Sequence, residues 1–92
     1  MTTYFMFGKY SSESIKSISA ERTNKANEII SKLGGEVVAR YALLGEKDLV
    51  FIVNLPGEEE VFKASAHLNK LTGIAFSSTP AITVEQFDKI LS

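Results

Sequence analysis

The hydrophobic pattern of the chain centres on residues Gly34 to Asn54, where apolar side chains occupy nearly every position. The segment opens with two glycines, which are a helix stop signal. Two strand-like runs follow, Glu36 to Leu44 and Leu49 to Asn54, on either side of Gly45-Glu46-Lys47-Asp48, a sequence typical of a tight turn. A half-solvated strand alternates apolar with polar residues, and neither run does so. The pattern predicts a β-hairpin that is covered on both faces.

Pairing across this turn assigns the hairpin residues to two faces, and the register predicted here sets Leu44 opposite Leu49. One face then carries Val38, Arg40, Ala42, Leu44, Leu49, Phe51 and Val53. The other carries Val37, Ala39, Tyr41, Leu43, Val50, Ile52 and Asn54. Both faces are apolar, but a chain of 92 residues has helices enough for only one. The remaining face favours self-association.

A strand and two helices are predicted before the hairpin. Thr2 to Tyr10 is rich in β-prone residues, and Gly8 within it indicates a bulge or the close approach of another segment. A short helix of two turns is expected from Ser11, followed by a longer one from Ala20 to Leu33 with Ser19 as its N-cap. The buried stripe of the longer helix is predicted to contain Thr23, Ala26, Ile29, Ile30 and Leu33.

A second long helix and a fourth strand are predicted after the hairpin. Beyond Pro56-Gly57, a helix should run from Glu58 to about Leu71 and end at Gly73. Ile74 to Thr79 is then predicted as a short strand, with Pro80 at an edge or a strand end. The buried stripe of the helix is predicted to contain Val61, Ala64, Ser65, Leu68 and Leu71.

The C-terminal residues predict one more helix. Thr83-Val84-Glu85-Gln86 fits a capping box, and the apolar stripe that follows consists of Val84, Phe87 and Leu91. A helix this short is not stable alone in water. It must therefore dock on its own domain or on a partner.

The order of elements predicts the fold class. Strand, helix, strand, strand, helix, strand and a short helix form a single α+β domain over residues 1–92, a ferredoxin-like β-α-β-β-α-β plait. Right-handed crossovers place both main helices on one face of a four-stranded antiparallel sheet. The other face is then free to stack on the sheet of a second copy.

Composition and charge narrow the classes of function. Ten Lys and Arg against eleven Asp and Glu give a net charge of -1, which argues against nucleic acid or an anionic membrane as a partner. The chain has no Cys and one His, so we expect neither a disulfide nor a metal site, and no cofactor is indicated. Without a signal sequence or a membrane-spanning stretch, a cytoplasmic location is expected.

Several short motifs resemble the GYD-domain family, which is named for a Gly-Tyr-Asp motif in its central turn. They are Gly8-Lys9-Tyr10, Ser19-Ala20-Glu21-Arg22, Gly34-Gly35, Gly45-Glu46-Lys47-Asp48 and Pro56 with the acidic residues behind it. Gly45 and Asp48 stand where the family has Gly and Asp, whereas Lys47 replaces its Tyr, so no role of that phenol carries over. The family resembles the dimeric α/β-barrel superfamily, which implies two sheets packed face to face and includes small monooxygenases, isomerases and ligand-sensing domains.

A few polar residues are candidates for a site. His67 is the default general base, and Tyr10 and Arg40 could assist it. However, His67 falls on the flank of its helix stripe, where a partly exposed His needs no catalytic role, and Tyr10, Arg40 and Tyr41 more often pack on a strand face with a wet polar tip. Asp48 either braces its turn or reaches, with Lys47, toward a pocket at the end of the sheet. The candidates for ligand contact are Tyr10, Tyr41, Asp48 and Ser77, the last with its neighbours Ser78 and Thr79.

The preferred hypothesis is a homodimer that binds a small, mostly apolar molecule between sheet and helices, with no established catalysis. The alternative is a cofactor-free oxygenase or isomerase of the dimeric α/β-barrel type. A regulatory ligand sensor ranks last, since no DNA-binding segment is present in the sequence. The ligand, the reaction and the pathway do not follow from the residues.

Overall fold

A computed structural model describes residues 1–92 and shows a four-stranded sheet with helices. The elements are β1 (Thr2–Lys9), α1 (Ser12–Lys16), α2 (Ala20–Lys32), β2 (Glu36–Ala42), β3 (Leu49–Leu55), α3 (Glu58–Thr72), β4 (Ala75–Ala81) and α4 (Val84–Leu91). The strand order is β2-β3-β1-β4, and every neighbouring pair is antiparallel. The ferredoxin-like fold is therefore confirmed. None of the helices has the length and apolar character needed to span a bilayer.

The core lies between α2, α3 and one face of the sheet, which we call the inner face. Alternate residues of the two central strands point into it, because side chains alternate across a strand. The buried core residues are Tyr4, Met6, Ala26, Ile30, Leu49, Phe51, Val53, Leu55, Val61, Ala64, Leu68 and Ile74. The predicted stripes of both long helices are confirmed, since their members are buried or half-buried.

Capping and glycine fix the ends of the long helices close to the predicted residues. The Ser19 side chain accepts a hydrogen bond from the backbone N–H of Arg22 at the start of α2. After α2 the chain passes so close to β3 that a Cβ on Gly35 would overlap the backbone oxygen of Asn54. Gly73 ends α3 with φ 74°, which favours glycine. The first helix, α1, has only five residues and is shorter than the two turns predicted.

The predicted hairpin register is wrong by two residues. Ala42, not Leu44, faces Leu49, and β2 ends there. The backbone N–H of Asp48 bonds the Gly8 carbonyl of β1 at 2.9 Å, while Leu43 N–H donates to the Asp48 carbonyl. Because the Asp48 N–H bonds to β1 and not to β2, the loop between β2 and β3 extends over residues 43–48. Gly45, with φ 138°, lies inside this loop.

A β-bulge at Val38 changes the face assignment at the start of β2. Val37 pairs with Val53 and Ala39 pairs with Ile52, so Val38 is the extra residue. Val37 therefore packs against the core instead of sharing a face with Ala39, and Val38 is 57% exposed. The predicted placement of these two valines is wrong because three consecutive apolar residues carry no alternation that fixes the phase.

Gly8 and Pro80 occupy places that their chemistry explains. Gly8 is buried in regular pairing, and a Cβ there would meet Ile74, Leu49 and Phe76 at 2.9–3.0 Å. The close approach predicted for it is confirmed, and no bulge is present. Pro80 lies in β4, an edge strand, as expected for a residue without an N–H donor.

The C-terminal helix α4 forms as predicted but lies apart from the core. Its capping box is complete, with Gln86 N–H donating to the Thr83 hydroxyl at 3.1 Å. No residue of α4 is buried. The two long helices thus cover the inner face, while α4 adds no buried residue to the core.

Candidate functional site

The outer face of the sheet, opposite α2 and α3, is apolar and is not packed by either long helix; Phe5, Phe7 and Ile52 are half-buried there, and Val50 is buried. Its centre is formed by cross-strand neighbours, because Phe5 faces Ile52 and Phe7 faces Val50. The rings of Phe5 and Phe7 lie 6.2 Å apart, and Tyr41 continues the patch onto β2. An apolar surface of this kind marks an interaction site more often than a solvated one.

A row of polar side chains borders the outer face at the end where β1 begins. The Thr3 hydroxyl donates to Asn54 Oδ1 at 2.6 Å, and Asn54 Nδ2 donates to Glu36 Oε1 at 2.9 Å. These residues stand on three adjacent strands. The row is hydrogen-bonded within one chain, so its amide and hydroxyl can be covered at little cost in unpaired polar groups.

A groove of about 690 Å³ lies on the other side of the sheet, between β4 and the first half of α3. Its apolar wall includes Tyr4, Val61 and Phe76, and Phe62 stands at its rim with 77% of its surface exposed. The lining residues are Thr2, Tyr4, Gly57, Glu58, Val61, Phe62, Ser65, Phe76, Ser78 and Pro80. Both its volume and its mixture of apolar surface with a few polar groups are typical of small-molecule sites.

The polar groups of this groove are hydroxyls and one carboxylate. Ser78 Oγ is shielded from solvent and has no hydrogen-bond partner. A buried hydroxyl without a partner costs free energy, and rotation about its χ1 bond can turn it toward a bound molecule. Glu58 puts a negative charge at the rim, which disfavours an anionic ligand.

Two smaller spaces complete the description. A cavity of about 80 Å³ lies between sheet and helices, lined by Tyr10, Arg22 and apolar core residues, and it has room for only a few atoms. A shallow depression of about 360 Å³ follows the edge between α2 and β2. No three His, Asp or Glu side chains come together as metal ligands.

The loop between β2 and β3 is braced against the end of β1. Asp48 Oδ2 accepts a hydrogen bond from the Tyr10 backbone N–H at 2.8 Å, and Lys9 Nζ donates to the Glu46 carbonyl at 3.1 Å. The Asp48 carboxylate thus ties two segments that are distant in sequence. Asp48 itself lines none of the three spaces described above.

The GYD domain matches the chain over residues 4–91. The chain belongs to the GYD-domain family. No curated protein matches it.

Solved structures share the fold of this GYD domain. It is similar to the leucine response regulatory protein LrpA of Mycobacterium tuberculosis, with 13% identity and a TM-score of 0.59, covering 90% of this chain and 51% of that one. An AsnC family transcriptional regulator from Agrobacterium tumefaciens gives 23% identity and a TM-score of 0.59, covering 89% and 50%. The GYD domain thus spans about half the length of these two regulators.

A third similar structure has nearly the same extent as the GYD domain. TTHA0845 from Thermus thermophilus matches with 23% identity and a TM-score of 0.57, covering 91% of this chain and 96% of that one. At these identities, the comparisons establish the fold.

The candidate catalytic residues of the GYD domain do not converge on one site. His67 is exposed on α3, and Tyr10 is half-buried against the core next to the small cavity. Arg40 lies on the edge strand β2, where its Nη1 donates to Asn27 Oδ1 of α2 at 2.7 Å. The three described spaces contain Tyr10 and Arg40 separately, and none contains His67.

The candidate ligand contacts are also spread over the GYD domain. Tyr41 and Ser77 belong to the outer face, whereas Asp48 and Tyr10 meet at the end of β1. Ser78, one residue beyond Ser77, is the serine that lines the groove. The other groove residues are not among the candidates, because Tyr4, Val61 and Phe76 each fit an ordinary core position. An exposed Phe62 beside a buried helix stripe was the one signal that could have identified them.

Proposed function

We propose that the GYD domain is a homodimer that stacks the outer faces of its two sheets and binds a small, neutral, mostly apolar molecule in the groove between α3 and β4. The uncovered apolar outer face carries this proposal. Phe5, Phe7 and Ile52 form a continuous patch there, and a second copy offers the same patch in return. Face-to-face packing of two such sheets is a common way of burying them.

The groove supports the ligand-binding part of the proposal. Its volume of about 690 Å³ matches a molecule of metabolite size, and its aromatic and aliphatic wall favours an apolar body. The hydroxyls of Thr2, Ser65 and Ser78 can bond one or two polar atoms of the ligand. The leucine response regulatory protein, by its name, responds to a small molecule, and half of its chain has this fold.

Sedimentation equilibrium of the purified chain tests the dimer. We expect twice the mass of one chain at micromolar concentration, since stacked apolar faces gain about 25 cal/mol per Å² of buried apolar surface. A monomer throughout the micromolar range would overturn this part.

Binding of Nile red, a neutral apolar dye, tests the groove. Ser65→Phe plugs the groove from α3, so we expect dye affinity to fall at least about tenfold, a loss near 1.4 kcal/mol. Ala66→Phe is the matched control, because it adds the same ring on the same helix at an exposed position that does not line the groove. Equal affinities of the two variants would show that the dye binds elsewhere.

No contact in the structure favours the enzyme alternative over binding. The three candidate catalytic residues lie on separate parts of the fold, and a general base has to be within hydrogen-bond reach of its partner. Binding is therefore the function that the geometry supports best.

A further inference from the structure

We propose that α4 is an exchanged element, which packs against a second copy of this chain and covers the start of its β2 strand at Val38. This inference rests on the sheet-to-sheet dimer proposed above and goes beyond it. In the dimer, each chain would supply one helix to the other. The interface would then be incomplete without the C-terminal residues.

The first observation is an apolar stripe on α4 that is mostly exposed. Phe87 is 52% exposed and Leu91 is 70% exposed, and Val84 and Ile90 complete the same side of the helix. Glu85 and Lys89 occupy the opposite side, and Asp88 flanks the stripe. An isolated helix of eight residues is marginal in water, so the stripe needs a surface to pack on.

The second observation is that α4 extends beyond its own sheet. Only Ile82 and Thr83 join it to β4. The longest axis of the chain measures 48 Å, whereas a strand of seven residues spans about 23 Å. No residue of α4 is buried in its own domain. The helix is thus held away from its own core, in a chain about twice as long as its strands.

The third observation is what α4 would add to two stacked sheets. Four strands of seven or eight residues form a flat face on the order of 450 Å² per protomer at ordinary strand spacings. The exposed apolar stripe of an eight-residue helix from each chain would enlarge the surface that two such faces bury.

Two aligned ways of stacking the faces satisfy two-fold symmetry, and α4 distinguishes them. With the two-fold axis parallel to the strands, β4 of one copy lies over β2 of the other, and the end of β4 lies over the beginning of β2. With the axis perpendicular to the strands, β4 lies over β4, and α4 lands beside Ala75 and Lys9. These two residues offer a methyl group and a charge.

The parallel axis brings an exposed apolar side chain to the apolar stripe. The beginning of β2 contains the bulge, where Val38 is 57% exposed and has no partner in its own chain. A second copy of the chain is therefore an occupant that pairs the stripe of α4 with Val38.

A tryptophan reporter tests the inference, because the chain contains no Trp. Phe87→Trp puts the indole in the stripe, and Lys89→Trp puts it on the polar side of the same helix. We expect blue-shifted emission from Trp at position 87 in the dimer, and solvent-exposed emission from Trp at position 89. Removal of residues 83–92 should raise the dimer dissociation constant on the order of 100-fold.

Two further substitutions separate exchange from the other outcomes. Ile52→Lys on the outer face should give a folded monomer, and the emission of Trp at position 87 should then become solvent-exposed. Blue emission that persists in this monomer would mean that α4 docks on its own chain, which overturns the inference. Val38→Lys should expose Trp at position 87 while the protein stays folded by circular dichroism. An unchanged emission in Val38→Lys would overturn the proposed location.

Failure of this inference is distinguishable from failure of the proposed function. A wild-type dimer in which Trp at position 87 stays solvent-exposed overturns the exchange and leaves the stacked sheets standing. A wild-type protein that is monomeric at every concentration overturns the dimer and the exchange together. Nile red binding in the groove is measured independently of both.

Discussion

The two faces of the sheet are built from the same strands and are similarly apolar, yet only the inner face is covered by helices. On the inner face, Met6, Val53 and Leu55 are completely buried under α2 and α3. On the outer face, Phe5 and Ile52 stay half-buried because only their strand neighbours touch them. The difference lies in the helices and not in the strands. A chain that places both long helices on one face leaves the other as a surface for association.

The two faces should also respond differently to mutation. Inner contacts are made within one chain, so their loss acts on the free energy of unfolding at any protein concentration. Outer contacts, in the proposed dimer, are made between chains, so their loss acts on the dissociation constant. Concentration dependence is therefore the measurement that separates the faces.

The largest expected effect is on the inner face. Leu68→Ala removes a completely buried side chain of α3, which should lower the free energy of unfolding by about 2–5 kcal/mol through lost burial and the cavity left behind. Leu44→Ala is the matched control, since Leu44 is fully exposed in the loop after β2, and its change should stay within about 0.5 kcal/mol. Urea denaturation measures both. Equal losses would contradict the burial described for the two leucines.

A smaller effect on the fold, with a large one on association, is expected on the outer face. Phe5→Lys places a charge opposite Ile52 at the centre of the patch, so dimers should dissociate at least about 100-fold more readily, while the circular dichroism spectrum stays native. Ala66→Lys adds the same charge at an exposed position of α3 and should leave the dimer intact. Sedimentation velocity at several concentrations compares them. A dimer that tolerates Phe5→Lys would place the interface elsewhere.

Most of the fold could be predicted from the sequence because the local signals agreed with one another. The serine before α2, the glycines after α2 and α3, and the Thr83 capping box each mark a helix end within about two residues. The register of the hairpin could not be predicted from such local signals. Its turn competes with β1 for the Asp48 N–H, and a contact with a distant strand leaves no local pattern. The bulge at Val38 was hidden for a related reason, since an apolar run fits either phase.

The site was much less predictable than the fold. Groove residues come from β1, α3 and β4, and each of Tyr4, Val61 and Phe76 satisfies a core pattern by itself. Their common property is the space between them, which depends on how α3 sits over the edge strand. By contrast, His67 and Arg40 were candidate catalytic residues because of their chemical type, although the fold keeps them apart. Residue type indicates potential chemistry, while only packing shows which side chains meet.

The smallest expected effect compares the caps of α2 and α4. In each helix an N-cap hydroxyl accepts a backbone hydrogen bond, from Arg22 N–H to Ser19 at 3.0 Å and from Gln86 N–H to Thr83 at 3.1 Å. Ser19→Ala should lower the free energy of unfolding by about 1 kcal/mol, because α2 carries Ala26 and Ile30 into the core.

Thr83→Ala removes an equivalent bond from a helix that contributes nothing to the core of its own chain. In the Ile52→Lys background, which isolates the monomer, it should therefore change the free energy of unfolding by no more than a few tenths of a kcal/mol. In the wild-type background it should weaken the dimer several-fold, since α4 has to be helical to present its stripe. Urea denaturation of the monomer and sedimentation of the dimer give the two readings. If Ser19→Ala and Thr83→Ala lowered the free energy of unfolding of the monomer equally, α4 would be docked within its own domain. The contrast between the helix-covered core and the exposed helix α4 would then disappear.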